Sequence, residues 1–490
     1  MEVVDLNKYR AALLVKRSEE GVADMFVNMF VEDVRYETDS KWLLWTGSHW
    51  QEDKDDSVYQ RVRKVTEQLD EQARNMPRDN EKLEKQADAF ARFVRSMQRE
   101  HAHRSVLQIA SRHPDVRVPA EKLDRHAYLL PCQNGTIDLR TGELREARRE
   151  DYLTRVIPID YDPAASAPKF HKFLERIQPE LPTRLFLQRL LGYSVFGFVR
   201  EHVFPIFFGD GANGKSVLAS VVQHVLGDYA QTAPATLVIE TKNEPHRTEV
   251  ERLSGTRVAF VHETKRGVKL NVERVKMLCG GDRITANRMY HDLVEFDPTH
   301  QLVLVSNFKP HVDAALRAVW RRLLLIPFEV EIPEKDQDLG LADDISDLEA
   351  EGVLRWLVEG AAWWFWFHEQ AKGGSGLLPP QVILDHTLEY QAAEDVVGSF
   401  VEAKCVLIQD AQVQGAVLYK AYREYCESVG VKPVANNDFS EAVRRVKGAD
   451  GKALGKATKH VGVMTYSGIG LHASEYADDP RAGTDEWEDR

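Results

Sequence analysis

Cysteine is scarce in this chain. Four are spread over 490 residues, Cys132, Cys279, Cys405 and Cys426, and no two stand at CxxC spacing. That excludes a disulfide framework and a thiolate zinc site of the usual kind, and it suits a reducing, cytoplasmic setting. Long apolar runs are missing too. The opening MEVVDLNKYRAALLVKRSEE holds no uninterrupted apolar segment of the secretory type. The most apolar later stretch, Val353–Phe367, falls short of the roughly 20 residues a bilayer needs. It also carries Arg355 and Glu359, so it reads as a buried helix, and no membrane partner is expected. Positive charge is outnumbered, 64 Lys+Arg against 77 Asp+Glu for a net −13. A uniformly basic coat for nucleic acid is thereby excluded, whereas a local basic channel is not, because binding follows the field at the site.

What is present is ordinary globular composition, 43% hydrophobic and 29% charged. A core of real size can be buried, and wholesale disorder is excluded. At about 100–200 residues per domain the length implies three or four domains. Residues 1–130 read as an accessory module. Lys41–Trp50, KWLLWTGSHW, has the pattern of a hairpin whose tryptophans serve a small core more often than they stack bases. Residues 57–108 are charged and helical in pattern. Residues 131–198 form a helical region that opens with a second hairpin signal, NGTIDLRTGEL. From 199 to 370 the runs FPIFF, SVLASVVQHVL, RVAFVHE, NVERVKMLC, QLVLVSN and RRLLLIPF alternate β-rich and helical segments, the signature of a parallel sheet flanked by helices. A linker is expected over 371–394, because AKGGSGLLPP is rich in Gly and Pro. Residues 395–472 read as three helices and a β-wing, a winged helix. The tail 473–490 has seven acids and two bases and is expected to be solvated.

The chemistry is concentrated in one motif. Gly209, Asp210, Gly211, Ala212, Asn213, Gly214, Lys215 and Ser216 match GxxxxGK[ST], between an apolar run and the amphipathic segment that starts at Val217. A chance match in a chain this long is roughly 2 in 100. Glycines let the backbone curl so that its N–H groups face phosphates, and the following helix N-terminus adds partial positive charge. Lys215 is placed for the β- and γ-phosphates and the Ser216 hydroxyl for Mg²⁺. These nine positions, Gly209 to Val217, are the candidate nucleotide-binding set. VAFVHE is an apolar strand ending in Glu263, a candidate for metal or water. QLVLVSN ends in Asn307, which could orient the water or sense the γ-phosphate; a strand-end turn is the simpler reading. Arg321 and Arg322 precede another apolar strand. An arginine inserted from a neighbouring subunit would stabilise transition-state charge, Arg322 ahead of Arg321; a solvated edge or a salt bridge is the alternative.

The order GDGANGKS, then the Glu263 strand, then KMLCGGDRITANRMYHDLVEFDPTHQLVLVSN, then AVWRRLLLIPF resembles superfamily 3 helicases, specifically the phage/plasmid primase–helicase branch that includes poxvirus-type enzymes. The resemblance implies an α/β fold with an AAA+-like P-loop ATPase core, a helical N-terminal region and a C-terminal winged-helix domain. It also implies a hexameric ring, with ATP and Mg²⁺ at each interface and a DNA strand through the centre. By position, Lys215 and Ser216 hold phosphate and Mg²⁺, Glu263 is the acidic motif residue, Asn307 the sensor and Arg322 (or Arg321) the trans finger. Asn287–His291 falls where the branch places its channel hairpin, which makes Arg288, Tyr290 and His291 candidate DNA contacts. Lys276 is a further candidate, with a solvated charged helix as the alternative. Between 264 and 291 there are seven Lys/Arg and two acids. One departure stands out: many superfamily members have two adjacent acids on the second strand, where this chain has His262-Glu263.

The function expected is an ATP-dependent replicative DNA helicase of a phage or mobile element, acting on a forked duplex, with a primase or polymerase as a candidate partner. An origin-binding initiator that uses ATP only to assemble is the rival, with Lys432, Arg444, Arg445 and Lys447 as its candidate duplex contacts. Primer synthesis by this chain is disfavoured, because Glu52, Asp53, Asp55 and Asp56 form a charged loop rather than a strand-spaced metal pair.

Overall fold

The computed structural model describes residues 16–38, 41–241, 247–263, 265–287, 293–314, 316–408, 411–446, 458–460 and 463–472. Among its described residues the first part packs four helices, α1 (Glu19–Phe30), α2 (Ser57–Arg74), α3 (Glu81–Met97) and α4 (Glu100–Ala110), with a small sheet. That sheet has the order β3-β2-β1-β4, from β1 (Val34–Glu37), β2 (Lys41–Trp45), β3 (Trp50–Glu52) and β4 (Arg117–Val118). Helix starts are fixed by side-chain caps: Ser18 accepts from Gly21 N–H and Asn80 from Leu83 N–H. The KWLLW hairpin forms, with Trp45 opposite Trp50. Trp50 is fully buried, donates from Nε1 to the Arg149 carbonyl at 2.9 Å and lies under the Arg35 guanidinium, so it is a core residue.

Next come an antiparallel sheet of β5 (Leu129–Cys132), β6 (Gly135–Asp138) and β7 (Glu143–Arg145), then helices α5 (Pro168–Ile177) and α6 (Leu181–Tyr193). The sheet that positions the site follows. Its strands are β8 (Phe204–Phe208), β9 (Ala230–Ala233), β10 (Val258–Glu263), β13 (Gln301–Ser306) and β14 (Leu323–Pro327), in the order β14-β8-β13-β10-β9 and parallel throughout. Helix α7 (Lys215–Leu226) follows β8, and a short α8 (Arg247–Glu251) precedes β10. Between β10 and β13 lie α9 (Val272–Leu278) and the antiparallel pair β11 (Ile284–Asn287) and β12 (Leu293–Phe296). A short α10 (Arg317–Trp320) leads into β14.

Both faces of this sheet are covered, which is why its strands read as continuous apolar runs. Val258, Phe260, Val303, Val305, Leu324 and Ile326 join the core on one side. Their alternating neighbours Ala259, Val261, Leu302, Leu304, Leu323 and Leu325 join the core on the other. Helices α11 (Leu341–Leu348) and α12 (Ala350–Gln370) close the first side. The apolar stretch 353–367 is the middle of α12. Leu357 and Trp364 on it are buried, while Trp363 and Trp366 face outward. No helix among the described residues is long and apolar enough to cross a membrane.

The expected linker over 371–394 is corrected by the structure. Its second half is a helix, α13 (Gln381–Glu394), that starts at the proline ending the Gly/Pro run. Ile383 and Tyr390 anchor it, Tyr390 hydrogen-bonds to the Pro310 carbonyl, and the Thr387 hydroxyl accepts from the Leu325 N–H at 3.0 Å. The helix therefore sheathes the edge strand β14. Even the first half is tied down, since Gly376 N–H donates to Glu201 and the Arg189 guanidinium to the Leu377 and Leu378 carbonyls. The last part contains α14 (Val396–Lys404), β15 (Cys405–Val406), β16 (Gln412–Gln414), α15 (Gly415–Ser428), α16 (Asn436–Arg445), β17 (Thr458–His460), β18 (Val463–Ser467) and β19 (Gly470–Leu471). It surrounds its own core of Phe400, Tyr422, Phe439 and Tyr466. All four cysteines are buried, and none is in a disulfide.

Candidate nucleotide site

Strand β8 ends at Phe208 and α7 begins at Lys215, so Gly209–Gly214 must turn the chain within six residues. The glycines here are steric requirements. A Cβ on Gly209 would lie 2.2 Å from the Phe328 carbonyl oxygen, and one on Gly214 2.5 Å from Ile177 Cγ2. Gly211 and Gly214 have φ of 113° and 82°, which side-chain-bearing residues rarely adopt. The loop is braced from outside: Asn213 Nδ2 donates to the Phe328 carbonyl at 2.9 Å and Ile332 N–H to the Ala212 carbonyl at 2.8 Å.

Lys215 is 3% exposed. Its ammonium donates to the Gly209 carbonyl and to Asn213 Oδ1, both at 2.7 Å. Burial pushes its pKa down to about 8, against the favourable pull of the Asp210 charge. A buried cation satisfied by two neutral acceptors is poised to exchange them for anionic oxygens. Glu263 closes β10 and is also buried; its Oε1 accepts from Lys265 N–H at 2.7 Å. Asn307 follows β13, where the Ser306 hydroxyl shapes the turn through Phe308.

Adjacency of β8, β13 and β10 brings these residues to one end of the sheet. A cleft of about 330 Å³ is lined by residues 211–217 together with His262, Glu263, Val305 and Asn307. Of the candidates, Gly211, Ala212, Asn213, Gly214, Lys215, Ser216, Val217, Glu263 and Asn307 thus meet. Gly209 and Asp210 act from behind, through the Lys215 ammonium. Arg321 and Arg322 do not join them. Leu323 pairs with Phe204 and Pro327 with Phe208, so the arginines sit at the start of the strands and the loop at their end. At about 3.3 Å per residue that separation is about 17 Å along the sheet. Arg322 donates to the Ala318 carbonyl, and its buried Nε has no hydrogen-bond partner among the described residues.

Lys276 pairs with Glu273 at 2.7 Å on α9. Other cations of the basic segment are also engaged, Lys269 with Glu240 and Arg283 with Asp297, which lowers the free positive charge there. Arg288, Tyr290 and His291 lie outside the described residues, as do Lys447 and the tail 473–490. Two contributions had no sequence signal, one an added role of a residue already among the nine candidates and one a residue outside them. Asn213 occupies an unconstrained position of the motif yet braces the loop and holds Lys215. Phe328 supplies only a backbone carbonyl. No group of three or more metal-binding His, Cys, Asp or Glu side chains occurs among the described residues.

Two family models match the chain. One described as D5 N terminal like covers residues 23–179, and a family of unknown function, DUF5906, covers 207–322. A protein of Acanthamoeba polyphaga mimivirus named "Putative helicase" is 27% identical over 332 residues, 62% of this chain and 34% of its own length. One of the same designation from Invertebrate iridescent virus 3 is 25% identical over 358 residues, 66% of this chain and 38% of its own. A protein of African swine fever virus named "Putative primase" is 29% identical over 213 residues, 41% of this chain and 22% of its own. The chain therefore spans less than two fifths of the length of these relatives. Among solved structures, the apo A form of the NrS-1 C-terminal region matches with a TM-score of 0.48 at 11% identity, over 91% of this chain and 98% of that one.

Proposed function

We propose that this chain, which belongs to the phage and viral primase–helicase family, is an ATP-driven DNA helicase of superfamily 3 type that works as a ring. The observation that carries the reading is the split arrangement of the sheet. Lys215, Ser216, Glu263 and Asn307 border one cleft, whereas Arg321 and Arg322 lie at the opposite strand ends and cannot reach it within one copy. A catalytic arginine must then come from a neighbour, which head-to-tail packing supplies.

The donor set suits the cofactor. The Ser216 hydroxyl and the Glu263 carboxylate are hard oxygen ligands of the kind Mg²⁺ accepts. Ser216 and Glu263 would hold Mg²⁺ with the nucleotide, and the ion would supply charge neutralisation at the phosphate oxygens. Lys215 Nζ releases the Gly209 carbonyl and Asn213 Oδ1 and turns to those oxygens. Glu263 releases the Lys265 N–H, and its carboxylate takes a proton from the attacking water, which the Asn307 amide orients. The partner arginine stabilises charge on the transferring phosphoryl group. Residues 288–291, between β11 and β12, track the DNA strand, and residues 395–472 serve as a winged helix.

The test is strand displacement on a forked duplex with ATP, together with subunit mixing. Lys215→Ala and Arg322→Ala, each inactive alone, should recover hydrolysis when mixed, because some interfaces then pair an intact loop with an intact arginine. Hydrolysis without any strand displacement, alongside protection of one specific duplex site, would favour the origin-binding initiator instead.

A further inference from the structure

His262 is the odd residue of β10. Five of the six positions from Val258 to Glu263 are buried, and His262 alone is exposed. It lines the same cleft as Lys215, Ser216, Glu263 and Asn307. Side chains alternate along a strand, and the two cores show which way each one points. Val258 and Phe260 pack in the core that also takes Leu218, Val221 and Val222 of α7. Ala259 and Val261 pack in the other. Carried on by two residues, the alternation sets His262 on the side of α7, whose second residue is Ser216, and Glu263 on the far side. The pairing agrees: His262 lies opposite Val305, a member of the α7-side core, and Glu263 opposite Ser306. The His262 ring makes no hydrogen bond or ion pair among the described residues, so both its nitrogens are uncommitted. Packing would accept any polar residue here, and the fold alone does not call for an imidazole.

We infer that His262 is a nitrogen ligand of the divalent ion that accompanies the nucleotide, and that it tilts the site toward first-row ions, Mn²⁺ and Co²⁺, over Mg²⁺. The inference rests on the nucleotide reading above. On the α7 side the donors are then the Ser216 hydroxyl and an imidazole, with Glu263 approaching from the other face of β10. A nitrogen ligand adds affinity along the first-row series and adds little for Mg²⁺, which keeps oxygen ligands and gives up its waters reluctantly. The cleft is also poor in negative charge. Glu263 is the only carboxylate among its described lining residues, and the Lys215 ammonium shares the space with it. An ion held mainly by charge is disfavoured there relative to one that also bonds to nitrogen. With His262 choosing the ion, Glu263 stays available to the attacking water.

Pulsed electron paramagnetic resonance on the full chain would decide it, with Mn²⁺ and a nonhydrolysable ATP analogue bound and the histidines labelled with ¹⁵N. The wild type should show the coupling of a directly bound imidazole, and His262→Ala should lose it. Equilibrium titration of the ions, in the presence of the analogue, gives a second readout. His262→Ala should weaken Co²⁺ about 5- to 20-fold and leave Mg²⁺ within about twofold. His262→Asp should lower the ratio of Co²⁺ to Mg²⁺ affinity about tenfold, chiefly by tightening Mg²⁺. His262 is exposed at the strand end, so neither replacement endangers the fold. No ¹⁵N coupling in the wild type, a coupling that survives His262→Ala, or an ion preference unchanged in both variants would overturn the inference and leave the phosphate loop in place. Undiminished binding of the analogue by Lys215→Ala would instead remove the nucleotide reading on which it rests.

Discussion

At the scale of single residues, Lys215 carries the sharpest consequence. Its folded pKa, about 8, lies below the ordinary lysine value. The unfolded chain thus holds more protons between pH 8 and about 10.5, and folding stability rises with pH across that window. Phosphate binding has the opposite demand, because it needs the ammonium. ATP binding should take up a proton at pH 8.5–9.5, and affinity should fall by up to about tenfold per pH unit above 8. Calorimetry in buffers of different ionisation enthalpy reads the uptake, and Lys215→Arg, which stays charged, should flatten the profile. Gly214 supplies a steric counterpart. Gly214→Ala forces a Cβ into Ile177 and Phe173 at positive φ. It should cost about 1–3 kcal/mol in denaturant unfolding and remove nucleotide binding.

At the scale of elements, α13 deserves its own measurement. Tyr390 is buried against Trp320 at 5.0 Å between ring centroids and reaches the Pro310 carbonyl. Tyr390→Ala should cost about 3–5 kcal/mol. Leu388→Ser, on the exposed side of the same helix, should stay within about 0.5 kcal/mol. The two variants together ask whether the helix stabilises the sheet edge or merely follows it. This helix was not legible in the sequence. Val382, Ile383, Leu384, Leu388 and Tyr390 run around its circumference, so no apolar stripe marks it, and the Gly/Pro run before it suggests open chain. The strands were legible for the converse reason. Burial on both faces writes them as unbroken apolar runs, and a loop, a helix start and two strand ends carry the site at fixed local positions. The contact of α5 with α11 was invisible because Lys169 and Asp344 meet across 175 residues of sequence, and no local pattern encodes that.

At the scale of the whole molecule, the shared site proposed above, with Arg322 remote from its own cleft, would make activity a property of pairs. Purified chain should show hydrolysis per subunit that rises steeply with concentration through the assembly range, while Arg322→Ala stays flat and keeps ATP binding within about threefold of wild type. Sedimentation and turnover measured on the same dilution series would check both arms. Turnover independent of concentration in a demonstrably single copy would sink the shared-site reading.

One junction shapes how the molecule would transmit load. Asp395 alone separates α13 from α14, ending one helix and capping the next through Gly398 N–H at 2.8 Å. There is no slack between them. A tug on the 95 residues beyond Asp395 would run along α13 to its bond with Leu325, three positions beyond Arg322, and would make the C-terminal part a lever whose short arm ends near that arginine.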